Sequence, residues 1–333
     1  MNNRSFNDTG RDVSEIGLGC WQIGGAWGEV PEDTALEILN QAYDHGITFY
    51  DTADVYGGGR SEKLISRFLT DRDLRGKVFV ATKLGRQGDA KDPANVSPEK
   101  VRDYTEQSLK RLGVESLDLT QLHCIGTDLL RDGAVFDALR DLKKEGKIKA
   151  FGASVESMEE AKLCTQHDDL ASLQIIFNAF RQKPIHTIFD EAKRKQVALI
   201  IRLPLASGLL AGKMTKDTTF GDDDHRNFNA NGEKFNVGET FAGLPFEIGV
   251  DAADGFKPVL MQNQPENVTM AQASLRWILD HDAVTTVIAG ASRPQQAVDN
   301  AAVSELKPLS QLVHSELANL YKRDVEPHIR GPY

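Results

Sequence analysis

Residues 47–62 of this 333-residue chain read Ile-Thr-Phe-Tyr-Asp-Thr-Ala-Asp-Val-Tyr-Gly-Gly-Gly-Arg-Ser-Glu. β-Branched and aromatic residues at 47–51 predict a short buried strand, and the glycines at 57–59 predict an irregular loop after it. Asp51 ends the strand, and Tyr56 lies in the loop. A carboxylate and a phenol at a strand-to-loop junction suggest a proton-transfer site.

Apolar strands and amphipathic helices alternate along the rest of the chain. Strands are predicted at 16–20, 47–51, 78–82, 117–122, 148–152, 173–177, 197–201 and 284–288. Helices are predicted at 31–45, 61–69, 135–146, 157–167, 184–195, 265–280, 294–303 and 310–322, with another that Ser97 caps and Pro98 opens. Strands separated by helices must pair in parallel. About eight such units at this length predict a single-domain (β/α)8 TIM barrel.

A doubly wound open sheet is the rival architecture. Gly17-Leu18-Gly19 is followed by Cys20, Trp21 and Gln22. The third glycine of a dinucleotide-binding fingerprint is therefore missing, which favours the barrel.

Two segments depart from the alternation. Residues 1–15 are polar and predict a short hairpin outside the core. Residues 214–262 are rich in Asp, Asn, Gly and Phe, without clear periodicity. They predict a lid or a disordered loop, and their place after the seventh strand puts them on the functional face.

Composition restricts the partners and the compartment. The formal charge of −10 argues against nucleic-acid and anionic-membrane partners. Cys20, Cys124 and Cys164 form no CxxC pair, which suits reduced thiols in a cytoplasmic protein. No signal peptide is expected, and no HxxxH or HxH spacing predicts a metal site. The oligomer is left open between a monomer and a small homo-oligomer.

A lysine and a histidine at two equivalent junctions complete a candidate site. Lys83 and His123 each follow a predicted strand. An ammonium near Tyr56 would lower its pKa from about 10, and Asp51 would give the buried ammonium a counter-charge. A histidine can orient a carbonyl or share a proton. The four residues together predict a tuned general acid/base, although each alone has an ordinary structural explanation. Cys124 is the competing nucleophile.

Six motifs follow one another along the chain. They are Gly-Leu-Gly-Cys-Trp at 17–21, Phe-Tyr-Asp-Thr-Ala-Asp-Val-Tyr-Gly at 49–57, Ala-Thr-Lys at 81–83, Gln-Leu-His at 121–123, Leu-Pro-Leu-Ala-Ser-Gly-Leu-Leu-Ala-Gly-Lys at 203–213 and Val-Ile-Ala-Gly-Ala-Ser-Arg-Pro-Gln-Gln-Ala-Val-Asp-Asn at 287–300. Through them the chain resembles the aldo-keto reductases along nearly its whole length. The resemblance implies a barrel that binds NADP(H) without a Rossmann domain. It also implies Tyr56 as general acid, tuned by Lys83 and Asp51, with His123 orienting the carbonyl.

The same resemblance implies the cofactor residues. Ser154 and Gln174 match the carboxamide ligands, and residues 207–213 match the loop over the pyrophosphate. Glycines in that loop allow close backbone approach, and Lys213 adds charge. The whole set implied for the cofactor is Trp21, Asp51, Ser154, Gln174, Arg202, Leu203, Ser207, Gly208, Leu209, Gly212, Lys213, Gly290, Ser292, Arg293, Gln296 and Asn300.

The choice between NADP and NAD depends on the helix after the eighth strand. Arg293 and Gln296 match positions that meet an adenosine 2′-phosphate, and Asn300 matches an adenine contact. A helix N-terminus with an arginine is a good anion site. NADP(H) is therefore favoured over NAD(H), with a solvated Arg293 as the ordinary alternative.

The chain also departs from the family pattern. Arg202 stands where an aromatic residue often stacks on the nicotinamide, and a guanidinium plane can stack as well. Val155 stands where an Asn often follows Ser154, which puts one carboxamide contact in doubt. Cys124 replaces a larger residue and would widen the substrate pocket. The substrate pocket is predicted from Trp21, Trp27, Tyr56, Leu84, His123 and Cys124, with Phe220 or Phe228 reaching it from segment 214–262.

Three functions are open at this point. The first is NADPH-dependent reduction of a small aldehyde, ketone or sugar. The second is an NAD(P)-dependent sugar or polyol dehydrogenase running in the oxidative direction. The third is a non-catalytic NADP(H)-binding regulatory barrel, and the intact set of four residues speaks against it.

Overall fold

The computed structural model describes residues 1–6, 9–25 and 30–333, so the prediction for Trp27 lies outside the described residues. The strands are β1 (Asn3–Ser5), β2 (Asp12–Ser14), β3 (Ile16–Gly19), β4 (Phe49–Asp51), β5 (Phe79–Leu84), β6 (Leu119–His123), β7 (Phe151–Ser154), β8 (Ser172–Ile176), β9 (Ala198–Arg202) and β10 (Val284–Gly290). Strands β3 to β10 pair in parallel and in chain order, and β10 pairs with β3 to close the barrel. The predicted (β/α)8 architecture is confirmed.

Side chains alternate between the inside and the outside of the barrel along each strand. On β5, Phe79 and Ala81 lie in the apolar cluster inside the barrel, whereas Val80 and Leu84 lie in the cluster between strands and helices. Lys83 therefore shares the inner side with Phe79 and Ala81. The prediction that Leu84 lines the substrate pocket is wrong, because the two-residue period turns Leu84 away from the barrel interior.

The N-terminal hairpin forms as predicted, but its predicted position outside the core is wrong. Strand β1 pairs antiparallel with β2, and the fully buried Phe6 and Val13 belong to the inner cluster. The Phe6 ring centroid lies 4.8 Å from that of Phe79 and 5.9 Å from that of Phe49. Since Phe49 and Phe79 begin β4 and β5, the hairpin closes the amino-terminal end of the barrel, opposite to Asp51 and Lys83.

The helices surround the barrel. They are α1 (Glu32–Asp44), α2 (Arg60–Asp71), α3 (Pro98–Leu112), α4 (Thr127–Asp132), α5 (Ala134–Lys144), α6 (Met158–Cys164), α7 (Pro184–Thr187), α8 (Phe189–Arg194), α9 (His225–Phe228), α10 (Phe246–Leu260), α11 (Met270–Leu279), α12 (Pro294–Ala301) and α13 (Gln311–Leu320). The Ser97 hydroxyl accepts the Lys100 N–H and caps α3 as predicted. Within the described ranges, no helix is long and apolar enough to cross a membrane.

Two predicted helices differ from the observed ones. The helix predicted at 184–195 is divided into α7 and α8 at Ile188, whose φ of −134° is not helical. The helix predicted to begin at residue 265 begins instead at Met270, because Thr269 and Gln272 form a capping box there.

Segment 214–262 is folded against the barrel. It contains α9, two short 3₁₀ turns (Val237–Glu239 and Phe241–Gly243) and the 15-residue helix α10. The buried residues of α10 include Val250, Ala253, Phe256 and Leu260, which follow a helical spacing. Gly249 precedes them, and Gly255 and Pro258 lie between them. All three residues weaken helix propensity, which explains why the sequence predicted only a loop.

Candidate active site

The ammonium group of Lys83 lies at the centre of the candidate site. Its Nζ is 2.5 Å from Asp51 Oδ1, 2.8 Å from the Thr52 carbonyl oxygen and 3.1 Å from the Tyr56 hydroxyl. A lysine ammonium has three donors and no acceptor, so these contacts use its full capacity. Although burial alone would lower the pKa of Lys83, the Asp51 carboxylate and the Tyr56 oxygen raise it above its usual value. Lys83 is therefore charged at neutral pH.

The contact with Lys83 decides what the Tyr56 hydroxyl can do. Because Lys83 can only donate, the Tyr56 oxygen accepts this hydrogen bond and its own proton is free to be donated elsewhere. Burial raises the pKa of Tyr56 above its usual value of 10, and the lowering effect of Lys83 does not overcome it. The expected net lowering of this pKa is thus wrong for the free protein, and at neutral pH Tyr56 is a protonated phenol that can act as an acid.

His123 lies next to Tyr56, with ring centroids 5.8 Å apart in an edge-to-face arrangement. Burial, aided by the neighbouring cations with Arg86 first among them, lowers the pKa of His123 well below its usual value. The imidazole is therefore neutral at pH 7, and one ring nitrogen can donate while the other accepts. Among the described residues, none gives the buried Nδ1 of His123 a hydrogen bond.

The second oxygen of Asp51 is held by two buried amides. Gln174 Nε2 donates to Asp51 Oδ2 at 2.8 Å, and Gln121 Nε2 donates to the same oxygen at 3.3 Å. Gln174 was predicted to bind the cofactor carboxamide. Its amide nitrogen fixes the carboxylate that pairs with Lys83, and its side chain also lines the cavity, so the cofactor contact stays a prediction.

These side chains lie at one end of a cavity of about 440 Å³ at the carboxyl ends of the strands. Many predicted site residues line it: Trp21, Asp51, Tyr56, His123, Gln174, Arg202, Leu203, Ser207, Gly208, Gly290, Ser292 and Gln296. The volume is in the range of small-molecule sites.

Other predicted site residues lie outside this lining. Lys83 and Ser154 are buried behind the wall, and Cys124 Sγ lies 3.6 Å from Ser154 Oγ. Asn300 is buried and donates to the Gly290 carbonyl oxygen at 3.4 Å. The remaining predicted residues are not part of the lining: Leu84, Leu209, Gly212, Lys213 and Arg293. Of these, Lys213 and Arg293 are exposed.

The two phenylalanines expected from segment 214–262 do not line the cavity either, within the described ranges. Phe220 packs against Phe241 and Phe246, with centroids 5.7 and 5.5 Å away. Phe228 packs against Phe235 at 6.2 Å. The segment reaches the cavity through polar side chains instead, Arg226 and Glu239.

The loop after β9 has an unusual backbone. Leu203, Ala206 and Ser207 have φ of 53°, 48° and 56°, and Gly208 has φ of 100°. For residues with a side chain this left-handed region is costly and is concentrated at functional sites. Ser207 Oγ accepts the Phe241 N–H at 3.1 Å, so the loop and segment 214–262 are tied together beside the cavity.

The sequence did not indicate a group of four charged residues next to His123. Arg86 Nη2 lies 2.7 Å from Glu239 Oε1 and 3.2 Å from Glu156 Oε1. Arg202 Nη1 lies 3.3 Å from Glu239 Oε1, and its Nη2 donates to the Val155 carbonyl oxygen. We call Arg86, Glu156, Arg202 and Glu239 the charge cluster. Arg86 and Glu156 follow strands closely enough that position alone could have suggested them.

Cys124, Glu156 and Glu239 are the one group in the described part of the chain whose side-chain atoms are close enough to share a metal ion. Both carboxylates already pair with Arg86, and Arg202 lies 3.5 Å from Cys124 Sγ. Two guanidinium groups at this position oppose a cation, so we assign the two carboxyl groups to ion pairing and Cys124 Sγ to a hydrogen bond from Arg202.

The cavity offers unused polar atoms to a ligand. Within the described residues, the buried Gln22 Oε1 and Arg202 Nε have no hydrogen-bond partner, although both side chains line the cavity. A buried acceptor and a buried donor left unpaired are costly. A carboxamide group carries both a donor and an acceptor, so the residues present fit a nicotinamide.

Comparison with known proteins identifies the type of site. A sequence model described as "Aldo/keto reductase family" matches residues 15–322. The chain is 31% identical to aldo-keto reductase YhdN of Bacillus subtilis (strain 168), over 89% of this chain and 86% of that protein. It is 28% identical to the NADH-specific methylglyoxal reductase of Escherichia coli (strain K12), over 87% and 89%.

A solved structure agrees over the whole length. The glycerol dehydrogenase AKR11B4 from Gluconobacter oxydans superposes with a TM-score of 0.78 at 29% identity, covering 99% of this chain and 98% of that one. The barrel and its site define an oxidoreductase of carbonyl and alcohol groups. The chain belongs to the aldo-keto reductase family. Enzymes of this family use nicotinamide cofactors and act on small molecules.

Proposed function

We propose that the protein reduces the carbonyl group of a small aldehyde, ketone or sugar with NADPH, and that Tyr56 is the general acid. The hydrogen bond from Lys83 Nζ to the Tyr56 hydroxyl carries the proposal. It leaves the phenol proton available to a carbonyl oxygen in the cavity that Tyr56 lines.

The roles of the other residues follow from their contacts. When bound, the reduced nicotinamide supplies a hydride to the carbonyl carbon. Tyr56 donates its proton as negative charge develops on the carbonyl oxygen. The positive charge of Lys83 stabilises the phenolate that remains, while Asp51 keeps Lys83 charged and in place. The neutral His123 orients the carbonyl by donating one hydrogen bond.

Binding of the cofactor is assigned to side chains and backbone around the cavity. Arg202 and Gln22 have unpaired polar atoms for the nicotinamide end, and Ser207 and Gly208 of the left-handed loop line the cavity. Exposed Arg293 at the start of α12 supports NADP(H) over NAD(H), although one relative is named as NADH-specific. Segment 214–262 acts as the lid of the site. We also propose a cytoplasmic location.

The oxidative direction is the second candidate, because a structural relative is a glycerol dehydrogenase. The same residues would serve it, with the Tyr56 oxygen accepting the alcohol proton. The regulatory-barrel alternative has less support, since Asp51, Tyr56, Lys83 and His123 are all present and close together.

Replacing Tyr56 by Phe tests the proposed acid. We expect NADPH consumption with a panel of aldehydes, ketones and sugars to fall about 10²–10⁴-fold, the usual contribution of general acid catalysis. Tyr43→Phe is the matched control, because Tyr43 lies on α1 away from the cavity. Equal turnover by Tyr56→Phe and the parent would contradict the assignment. NADPH binding without turnover by either protein would favour the regulatory barrel.

A further inference from the structure

The charge cluster lies directly beside the residues proposed to act on the substrate. Arg86, Arg202 and Glu239 line the same cavity as Tyr56 and His123. The proposed mechanism uses only Arg202, as a contact for the nicotinamide. The buried carboxylate of Glu239 and the half-buried Glu156 and Arg86 need another explanation, because removing charge from water is costly.

The two carboxyl groups of the cluster have different environments. Glu239 lies between the two guanidinium groups, 2.7 Å from Arg86 and 3.3 Å from Arg202. Despite its burial, the two arginines hold the pKa of Glu239 well below its usual value. Glu156 pairs with Arg86 at 3.2 Å and forms a side-chain hydrogen bond with Glu239, with carboxyl oxygens of the two residues within 4.8 Å.

The surroundings of Glu156 oppose its ionisation. Burial and then the Glu239 carboxylate raise the pKa of Glu156 to about 7, although Arg202 and Arg86 lower it. Glu160 on α6 adds a further negative charge, and the Cys124 thiol faces the group from the end of β6. The cluster therefore has a net charge of about +1 when Glu156 is protonated and about 0 when it is ionised.

We propose that Glu156 sets the preference of the site for the oxidised or the reduced cofactor, because its ionisation removes the net positive charge of the cluster beside the nicotinamide. The oxidised nicotinamide ring carries a positive charge and the reduced ring is neutral. A positive cluster therefore disfavours the oxidised form, and a neutral cluster relieves that repulsion. The inference rests on the proposed function, since it takes the nicotinamide to bind in this cavity.

The role assigned to Glu156 is indirect. Glu156 acts by changing the electrostatic field of Arg86 and Arg202. It is therefore a positioning residue and not a catalytic one. The phosphates of the cofactor carry the same charge in both oxidation states. The ratio of the two dissociation constants therefore isolates the effect of charge on the ring.

The test measures the dissociation constants of NADP⁺ and NADPH from pH 5.5 to pH 9 by fluorescence titration. In the parent protein, the ratio Kd(NADP⁺)/Kd(NADPH) is expected to fall about five-fold as pH rises through 7. In Glu156→Gln the ratio stays near its value at low pH throughout. Glu145→Gln is the matched control, because Glu145 is the exposed partner of Arg102, and it behaves like the parent.

A second variant guards against loss of structure in the first. Glu239→Gln removes the carboxylate that opposes ionisation of Glu156, so the fall in the ratio is expected to move to lower pH. A parent ratio that does not change with pH, or a Glu156→Gln ratio that falls as in the parent, overturns the inference. A fall that is present in the parent and absent in Glu156→Gln supports it even if the Tyr56→Phe experiment fails. If neither cofactor form binds, both the inference and the proposed function are overturned.

Discussion

At the scale of single residues, the site depends on where each side chain falls in the two-residue period of its strand. On β4, Phe49 points inward and Tyr50 outward, so Asp51 points inward. The same alternation brings Lys83 to the inner side of β5. A carboxylate and an ammonium from neighbouring strands consequently meet at 2.5 Å in a place where both are almost fully buried.

Replacing Asp51 by Asn tests this pairing. The change leaves a buried ammonium without its counter-charge, so the free energy of unfolding should fall by about 3–5 kcal/mol. Carbonyl reduction should slow as well, because Lys83 then loses its proton more easily. Urea denaturation and steady-state kinetics measure both effects. Asp44→Asn, which breaks an exposed pair with Arg72, should cost under about 1 kcal/mol; an equally small cost for Asp51→Asn would contradict the pairing.

The sequence predicted the contacts among Asp51, Tyr56, Lys83 and His123 better than the contacts of the charge cluster beside them. Asp51 and His123 end their strands and Lys83 is the penultimate residue of β5, and parallel strands bring such residues to one end of a barrel. Glu239 follows no strand, and its partner Arg86 is 153 residues away in the chain. Nothing local marks that ion pair. Leu84 was misplaced for a different reason, since the two-residue period of β5 turns it away from the barrel interior, and the cofactor contact of Gln174 stays a prediction.

At the scale of elements, segment 214–262 is the least regular part of the site and is held by distant arginines. Arg330 donates to the carbonyl oxygens of Ala230, Gly243 and Leu244 at 2.9–3.1 Å. Arg181, which is almost fully buried, donates to the Ala242 carbonyl oxygen at 3.2 Å. These contacts fix the backbone on both sides of Glu239.

Arg330→Gln tests whether this anchoring matters for the site. Loss of the hydrogen bonds should speed amide hydrogen exchange in residues 230–244, because exchange reports local opening. KM should rise about three- to ten-fold, while kcat changes less, since Tyr56 and Lys83 are held by other elements. Arg323→Gln is the control, as Arg323 pairs with Asp324 at the surface. Unchanged exchange in 230–244 would show that the segment is held in another way.

Helix α10 shows where hydrophobic periodicity in the sequence fails to reveal a helix. Its buried positions have the spacing of a helix, yet glycine and proline residues conceal the pattern. The capping box at Thr269 and Gln272, by contrast, is visible in the sequence and marks the true start of α11.

At the scale of the whole molecule, barrel closure is what turns separate strand ends into one site. Strand β10 pairs with both β9 and β3, so the first and last strands of the barrel are neighbours. The hairpin of β1 and β2 fills the opposite end with Phe6, and the cavity therefore lies at the carboxyl ends.

Alternation of strands and helices predicted the barrel. The position of the hairpin could not be predicted from that alternation. The mostly polar sequence of the hairpin does not indicate which residues the buried Phe6 ring will contact.

The central claim is that Lys83 serves the reaction by acting on Tyr56. The most direct test is a double-mutant cycle in which kcat for carbonyl reduction is measured for Tyr56→Phe, Lys83→Met and the double variant. If the two residues act as a unit, the double variant should be about as slow as the slower single variant. If the two losses multiply, Lys83 and Tyr56 act independently, and the account is contradicted.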